Sequence, residues 1–209
     1  MILQKILACG DDAYRLMPSD NHQRHAIAEA LRSKGVWSEV VVGRESVTVQ
    51  YDPCETSPEA TRKLILSALD QVNLVTQKSA SSVTLRMRID EKSAPELVTC
   101  AEANGLSANE FLDRITGSDL MVDMLGFAPG FAYVSGVGDA LVGKRLEHPR
   151  QLTHAGSVGF IQGFLGIYAL DGPGGWPIIG QVSERLFDKT SDNPVLLAPG
   201  TRIKLEVSQ

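Results

Sequence analysis

The chain has 209 residues with a formal charge of −5, and its hydrophobic (43%) and charged (22%) fractions are those of a globular protein. This balance excludes disordered, collagen-like and coiled-coil chains, and an acidic chain lacks the basic stripe that nucleic-acid binding needs. No apolar run approaches the roughly 18 residues of a membrane helix, and three cysteines without a C-x-x-C indicate neither a disulfide framework nor a zinc knuckle. A cytoplasmic protein with no membrane and no nucleic-acid partner is the expectation.

Met1–Cys9 faintly resembles a lipoprotein leader, but Lys5 breaks its apolar stretch, so it reads as a first strand. Residues 6–17 then predict a strand pair or one long bent strand. A helix over 21–34 places Ala26, Ile27, Ala30 and Leu31 on one face and stops at Gly35. Glu39–Val42 and Ser46–Tyr51 flank Gly43-Arg44 as a hairpin. Ser57-Pro58-Glu59 opens a second helix: serine caps free N–H groups, proline tolerates the first turn, and glutamate suits the positive end. Its buried stripe is Leu64, Ile65, Ala68, Leu69 and Val72. Ser82–Ile89 alternates strictly and completes a βαββαβ order, the ferredoxin-like pattern. The expected domains are residues 1–90, ferredoxin-like α/β, and 91–209, a helical lead-in followed by a β-barrel.

Residues 91–123 hold seven acidic and two basic side chains and so carry the whole net charge. Such a run is most simply a solvated helical face. A helix over 94–104 ends at Gly105. Ser107 and Glu110 form a capping box that opens a helix running to Thr116. Fourteen of the 19 glycines lie at or after Gly126, where the chain changes to short strands and tight turns. Strands are expected over 119–125, 158–162, 166–170, 177–181, 195–197 and 202–207.

Gly138–Arg145 nearly spells a phosphate-binding P-loop, but Arg145 replaces the Ser or Thr and Pro149 opposes the following helix. Gly156-Ser157-Val158-Gly159 lacks one residue of a nucleophile elbow, so Ser157 reads better as a turn whose backbone N–H groups face a ligand. His148 and His154 have no helical ligand spacing and no carboxylate pair completes a metal set. Arg150 between them could pair an anion through its planar fork. The aromatic–glycine loop Gly126–Tyr133 and the loop Gly172–Trp176 suggest a shaped, ligand-sized site.

Leu125–Tyr133, His148-Pro149-Arg150, Ala155–Gly159, Gly166-Ile167-Tyr168, Pro173–Trp176, Ile179-Gly180 and Leu186-Phe187-Asp188, taken in this order, resemble the family of the 5-oxoprolinase B subunit, also called the kinase A inhibitor or allophanate hydrolase subunit 1 family. The resemblance implies a small α/β domain followed by a cyclophilin-like barrel, an α+β protein. It implies an enzyme subunit that opens a cyclic amide or lactam with ATP. The implied partners are the paralogous C-type subunit together with the lactam-hydrolase A-type subunit. Inhibition of a sensor histidine kinase and a biotin-linked carboxyltransferase half-module are the alternatives. The candidate site residues are Arg150 for anion pairing and His154, peculiar to this sequence, as proton carrier. Phe127, Pro129, Gly130, Phe131, Gly156, Ser157 and Tyr168 would contact substrate, with no metal.

The chain departs from the family pattern at Lys144-Arg145, where the family usually has Pro-Arg, and at Thr153-His154, where it has Val-Pro. It departs again at Gln162–Gly166, at Ile115–Ser118, where a histidine is lost, and at Ile89-Asp90-Glu91, where Tyr-Gly-Gly is lost.

Overall fold

The computed structural model describes residues 2–20, 23–70, 81–138 and 140–208. The chain divides into two compact units, Met1–Ser79 and Ala80–Gln209.

In the first unit, β1 (Leu3–Ala8) and β2 (Ala13–Pro18) form a hairpin, followed by α1 (Arg24–Arg32), a second hairpin of β3 (Glu39–Val42) and β4 (Val47–Gln50), and α2 (Pro58–Leu69). The sheet order is β1-β2-β4-β3, with every neighbour antiparallel. Leu16, Val47 and Val49 of the sheet meet Ile27 and Leu31 of α1 and Ile65 of α2 in one core. Gly35, at φ +65, follows α1 as expected of a stop. The buried face of α1 carries Ala28 rather than Ala26 and Ala30, and it includes Arg24, whose guanidinium donates to the Gly43 carbonyl at 2.7 Å. Ser57 caps α2 by accepting from the Ala60 N–H. Ile65, Ala68 and Leu69 are buried and Leu64 is partly exposed, whereas Val72 and the Asn21 start of α1 lie outside the described residues.

Among the described residues the element order is therefore ββαββα, which does not match the ferredoxin-like βαββαβ. The strand assigned from its alternation to the first domain, β5 (Ser82–Arg88), belongs to the second unit, where it pairs in parallel with β13 (Arg202–Ser208). Alternation reveals a half-buried strand but not its partner, which here lies about 120 residues away in sequence.

The second unit continues with α3 (Leu97–Glu102), α4 (Ala108–Thr116), β6 (Leu120–Leu125), β7 (Ala132–Ser135), β8 (Arg150–Thr153), β9 (Ser157–Ile161), β10 (Phe164–Ile167), β11 (Gly172–Gly174) and β12 (Ile178–Val182). Seven strands close a barrel in the order β10-β7-β6-β13-β5-β12-β9, and β8 and β11 form a separate ribbon. The segment expected as a strand over 195–197 makes only one isolated bridge, Val195 with Phe187. The barrel interior is filled by side chains. Val134, Val158, Phe160, Leu165, Ile167, Ile179 and Leu205 meet there, with Phe111 of α4 edge-on to Phe160 at 5.2 Å. A closed, packed interior leaves a ligand only the outer face or the rim. The capping box forms: the Ser107 hydroxyl accepts from Glu110 N–H, and Ser107 N–H donates to the Glu110 carboxylate at 2.9 Å. No helix among the described residues is long and apolar enough to cross a membrane.

Candidate functional site

The site arises from the period of two in the barrel strands. Val158 and Phe160, Leu165 and Ile167, and Ala132 and Val134 point inward. The residues between them line the outer face. Across that face runs a row of register partners: Tyr133 on β7 opposite Gly166 on β10, Gly166 opposite Gly159 on β9, and Gly159 opposite Ile178 on β12. The two central members lack a side chain, so the row is a trough. Aromatic rings fill it. A Cβ on Gly166 would stand 2.7 Å from Phe131 and 2.9 Å from Trp176, and one on Gly159 would stand 2.7 Å from Trp176.

Phe131 is the hub. It meets Tyr133 and Tyr168 edge-on at 4.9 Å each, Phe127 at 5.3 Å and Trp176 at 6.1 Å. These orientations bring positive ring edges to negative faces. Phe127 differs from the other rings. Its φ is +66, it is 65% exposed, and the Ala128 N–H donates across it to the Gly126 carbonyl at 2.7 Å. A non-glycine residue at the centre of so tight a turn is strained. The strain holds an apolar ring at the mouth of the site.

Above the trough opens a cavity of about 220 Å³, walled by Phe127, Phe131, Tyr133, Tyr168 and Trp176. Pro149, Pro173, Gly174 and Gly175 shape its other side and Arg145 reaches its rim. A second cavity of about 270 Å³ shares Phe127, Phe131 and Tyr168 and extends to Asp171. The Arg145 guanidinium carbon lies 5.8 Å from the Trp176 ring centroid. The Leu146 N–H donates to the Gly175 carbonyl at 2.8 Å, tying the Arg145 segment to the loop that bears Trp176. Burial pushes the Tyr168 phenol above its ordinary range, against the opposing pull of the Trp176 backbone N–H and the Arg145 charge.

Of the residues singled out in the sequence, Phe127, Phe131 and Tyr168 line both cavities. Pro129 is exposed on the loop and is not in either wall. Gly130 is buried at φ +75, where a Cβ would stand 2.9 Å from Ala169 and 3.1 Å from Phe187. Gly156, at φ +83, donates its N–H to the Tyr168 carbonyl at 2.7 Å. The Ser157 N–H donates to the His154 carbonyl at 3.1 Å. Both amides expected to face a ligand thus donate within the fold.

Arg150 ion-pairs with Glu96, whose other carboxylate oxygen accepts from Ile178 N–H at 2.8 Å. This arrangement fastens the β8 ribbon to β12. The other terminal guanidinium nitrogen, Nη1, is buried without a partner. His154 is mostly exposed, with Nδ1 3.6 Å from Asp171. The Ala155 N–H, ahead of His154, holds the Asp171 carboxyl below its usual range.

Gly138–Arg145 is not followed by a helix, and the Gly143 carbonyl accepts from Gln162 N–H. Among the described residues no three His, Cys, Asp or Glu side chains gather as a metal set. Arg145 and Trp176 are the wall residues that sequence reasoning passed over. Both sat in segments it had marked, and Arg145 was weighed as part of a failed P-loop and as a departure from the family pattern, not as a wall residue.

Comparison with known proteins agrees with this architecture. The family model described as carboxyltransferase domain, subdomain C and D, matches residues 4–197. The 5-oxoprolinase B subunit of Escherichia coli O157:H7 is 39% identical over 110 residues, 53% of this chain and 50% of that protein. The match thus spans about half the length of that curated relative. A conserved uncharacterized protein of Pyrococcus horikoshii superposes with a TM-score of 0.59 at 28% identity, over 98% of both chains. The Kluyveromyces lactis urea amidolyase shares the fold at a TM-score of 0.79 and 16% identity, over all of this chain and 16% of that one. A match from residue 4 to residue 197 leaves few residues outside it, and the chain belongs to the carboxyltransferase domain, subdomain C and D, family.

Proposed function

We propose that this chain is the B-type subunit of an ATP-dependent, 5-oxoprolinase-like complex that opens a small cyclic amide. The observation that carries the reading is the similarity, at 39% identity over 110 residues, to the 5-oxoprolinase B subunit of Escherichia coli O157:H7. The site supports it. A small cavity with aromatic walls and a cationic rim suits a compact planar ring. ATP would be bound in the assembled complex, in the cytoplasm, and the barrel would be of the cyclophilin-like kind.

A lactam resists water until its oxygen is activated, so phosphate must be delivered where developing negative charge is stabilised. In this reading a paralogous C-type partner and a lactam hydrolase complete the site. Arg150 holds the site's frame through Glu96. His154, oriented through Nδ1 by Asp171, presents Nε2 for proton transfer. The test is co-expression with the paralogous partner and the lactam hydrolase, followed by assay of ADP and glutamate from 5-oxo-L-proline. The complex is expected to release both in equal amounts and the single chain neither. Turnover by the single chain, or a complete complex that releases no glutamate, overturns the reading.

A further inference from the structure

The cavity walls are uncharged except at one point. Arg145 is the sole cation among the wall residues, and no carboxylate of the described residues lies within ion-pairing distance of it. Arg150, by contrast, is engaged by Glu96. A guanidinium beside an indole face, over an apolar cavity and without a counter-ion, is a binding group awaiting an anion. Tyr168 adds a second polar contact. Its phenol lines the cavity and carries a hydroxyl that can donate to a ligand. Rings on the walls accept a flat ligand face, and the volume of about 220 Å³ limits the ligand to one small ring.

We infer that Arg145 is the specificity-determining residue of this cavity, and that the cavity takes a small planar ring bearing a carboxylate. Arg145 pairs the carboxylate at the rim, the rings of Phe131 and Trp176 pack on the ligand, and the Tyr168 hydroxyl donates to a ring carbonyl. This deepens the proposed function, on which it rests for the choice of lactam as the ring. It moves anion recognition from the residue next to His148-Pro149 to the one five positions earlier.

The test is calorimetric titration of the full chain with 5-oxo-L-proline, with neutral 2-pyrrolidinone, with inorganic phosphate and with ATP. Arg145→Gln, Arg145→Lys and the neighbouring charge control Lys144→Gln are compared; Arg145 and Lys144 are both exposed, so folding should survive and is checked by circular dichroism. The wild type should bind the acid more tightly than the neutral lactam. Loss of a charged hydrogen bond weakens binding by about tenfold to a hundredfold, so Arg145→Gln should erase that preference. Arg145→Lys should recover it only in part, and Lys144→Gln should behave as wild type.

Absence of binding, equal affinity for acid and neutral lactam, preference for phosphate or ATP, or indifference to Arg145→Gln each overturns the assignment. The proposed function fails separately. A complete complex without turnover, whose chain still shows the Arg145-dependent preference, sinks the lactam-opening reading alone. Turnover that is insensitive to Arg145→Gln sinks the Arg145 assignment alone.

Discussion

At the scale of single residues, the site is made by side chains that are missing. Gly159 and Gly166 face each other across β9 and β10, and the rings of Phe131 and Trp176 occupy the space that two Cβ atoms would take. Gly130 serves the same cluster from behind. Its positive φ costs an alanine about 1–2 kcal/mol, and collision with the Cβ atoms of Ala169 and Phe187 adds overpacking of about 1–3 kcal/mol. Gly130→Ala is therefore expected to lower unfolding stability by several kcal/mol, read from urea denaturation. Because Gly130 is in neither cavity wall, ligand affinity of the fraction that remains folded should stay within about twofold. A loss of affinity with little loss of stability would show that the Gly130 backbone meets the ligand after all. The sequence placed Gly130 in a loop of unusual composition. What it could not show was that the neighbours are Ala169 and Phe187, which are remote in the chain.

At the scale of elements, local chemistry decided most boundaries. The capping box at Ser107 and Glu110 was legible because both partners lie within one helical turn, and it forms as read. The Ser107 hydroxyl, foremost, and then its backbone N–H hold the Glu110 carboxyl below its usual range. A carboxyl depressed in the folded state binds fewer protons there than in the unfolded chain. Its contribution is therefore present above the unfolded pKa of about 4.3 and is lost as pH falls through the lower folded value. Ser107→Ala should cost about 1 kcal/mol at pH 7. The difference from wild type should shrink as the pH is taken from 5 down through the folded-state titration, measured by thermal unfolding across that range. A gap constant with pH would mean that Glu110 takes no part in the cap. The strands β7, β8 and β11 were not legible. They are three or four residues long and rich in glycine, aromatic or polar side chains, so no alternation emerges and only pairing with a neighbour defines them.

At the scale of the whole molecule, barrel closure depends on one long-range parallel pairing. β5 and β13 pair in register from Ser82 with Arg202 to Arg88 with Ser208, and β5 also joins β12 through Arg88 with Gln181. Without β5 the ring opens between β13 and β12 and exposes two strand edges, an aggregation hazard. A fragment of residues 80–209 is expected to unfold in one cooperative thermal transition with near-ultraviolet dichroism from its packed rings. A fragment of residues 91–209, cut at the boundary that the sequence alone suggested, should lack that signal and aggregate. Equal cooperativity of the two fragments would show that β5 is dispensable for closure.

Composition, helix caps and strand alternation follow from residues close in sequence, and these the chain disclosed by itself: a mixed α and β protein, its helices, the hairpin around Gly43-Arg44 and the glycine-rich second half. The motif segments around Phe127, Phe131 and Tyr168 were also visible, since unusual composition needs no partner to be noticed. Three things waited for the tertiary structure. These are the membership of β5 in the barrel, the capture of Arg150 by Glu96, and the placing of Arg145 against Trp176. Each is a contact between residues that chain order separates by 30 or more positions. The free energy of such a contact is set by which surfaces the closed barrel brings together, and no local propensity encodes that.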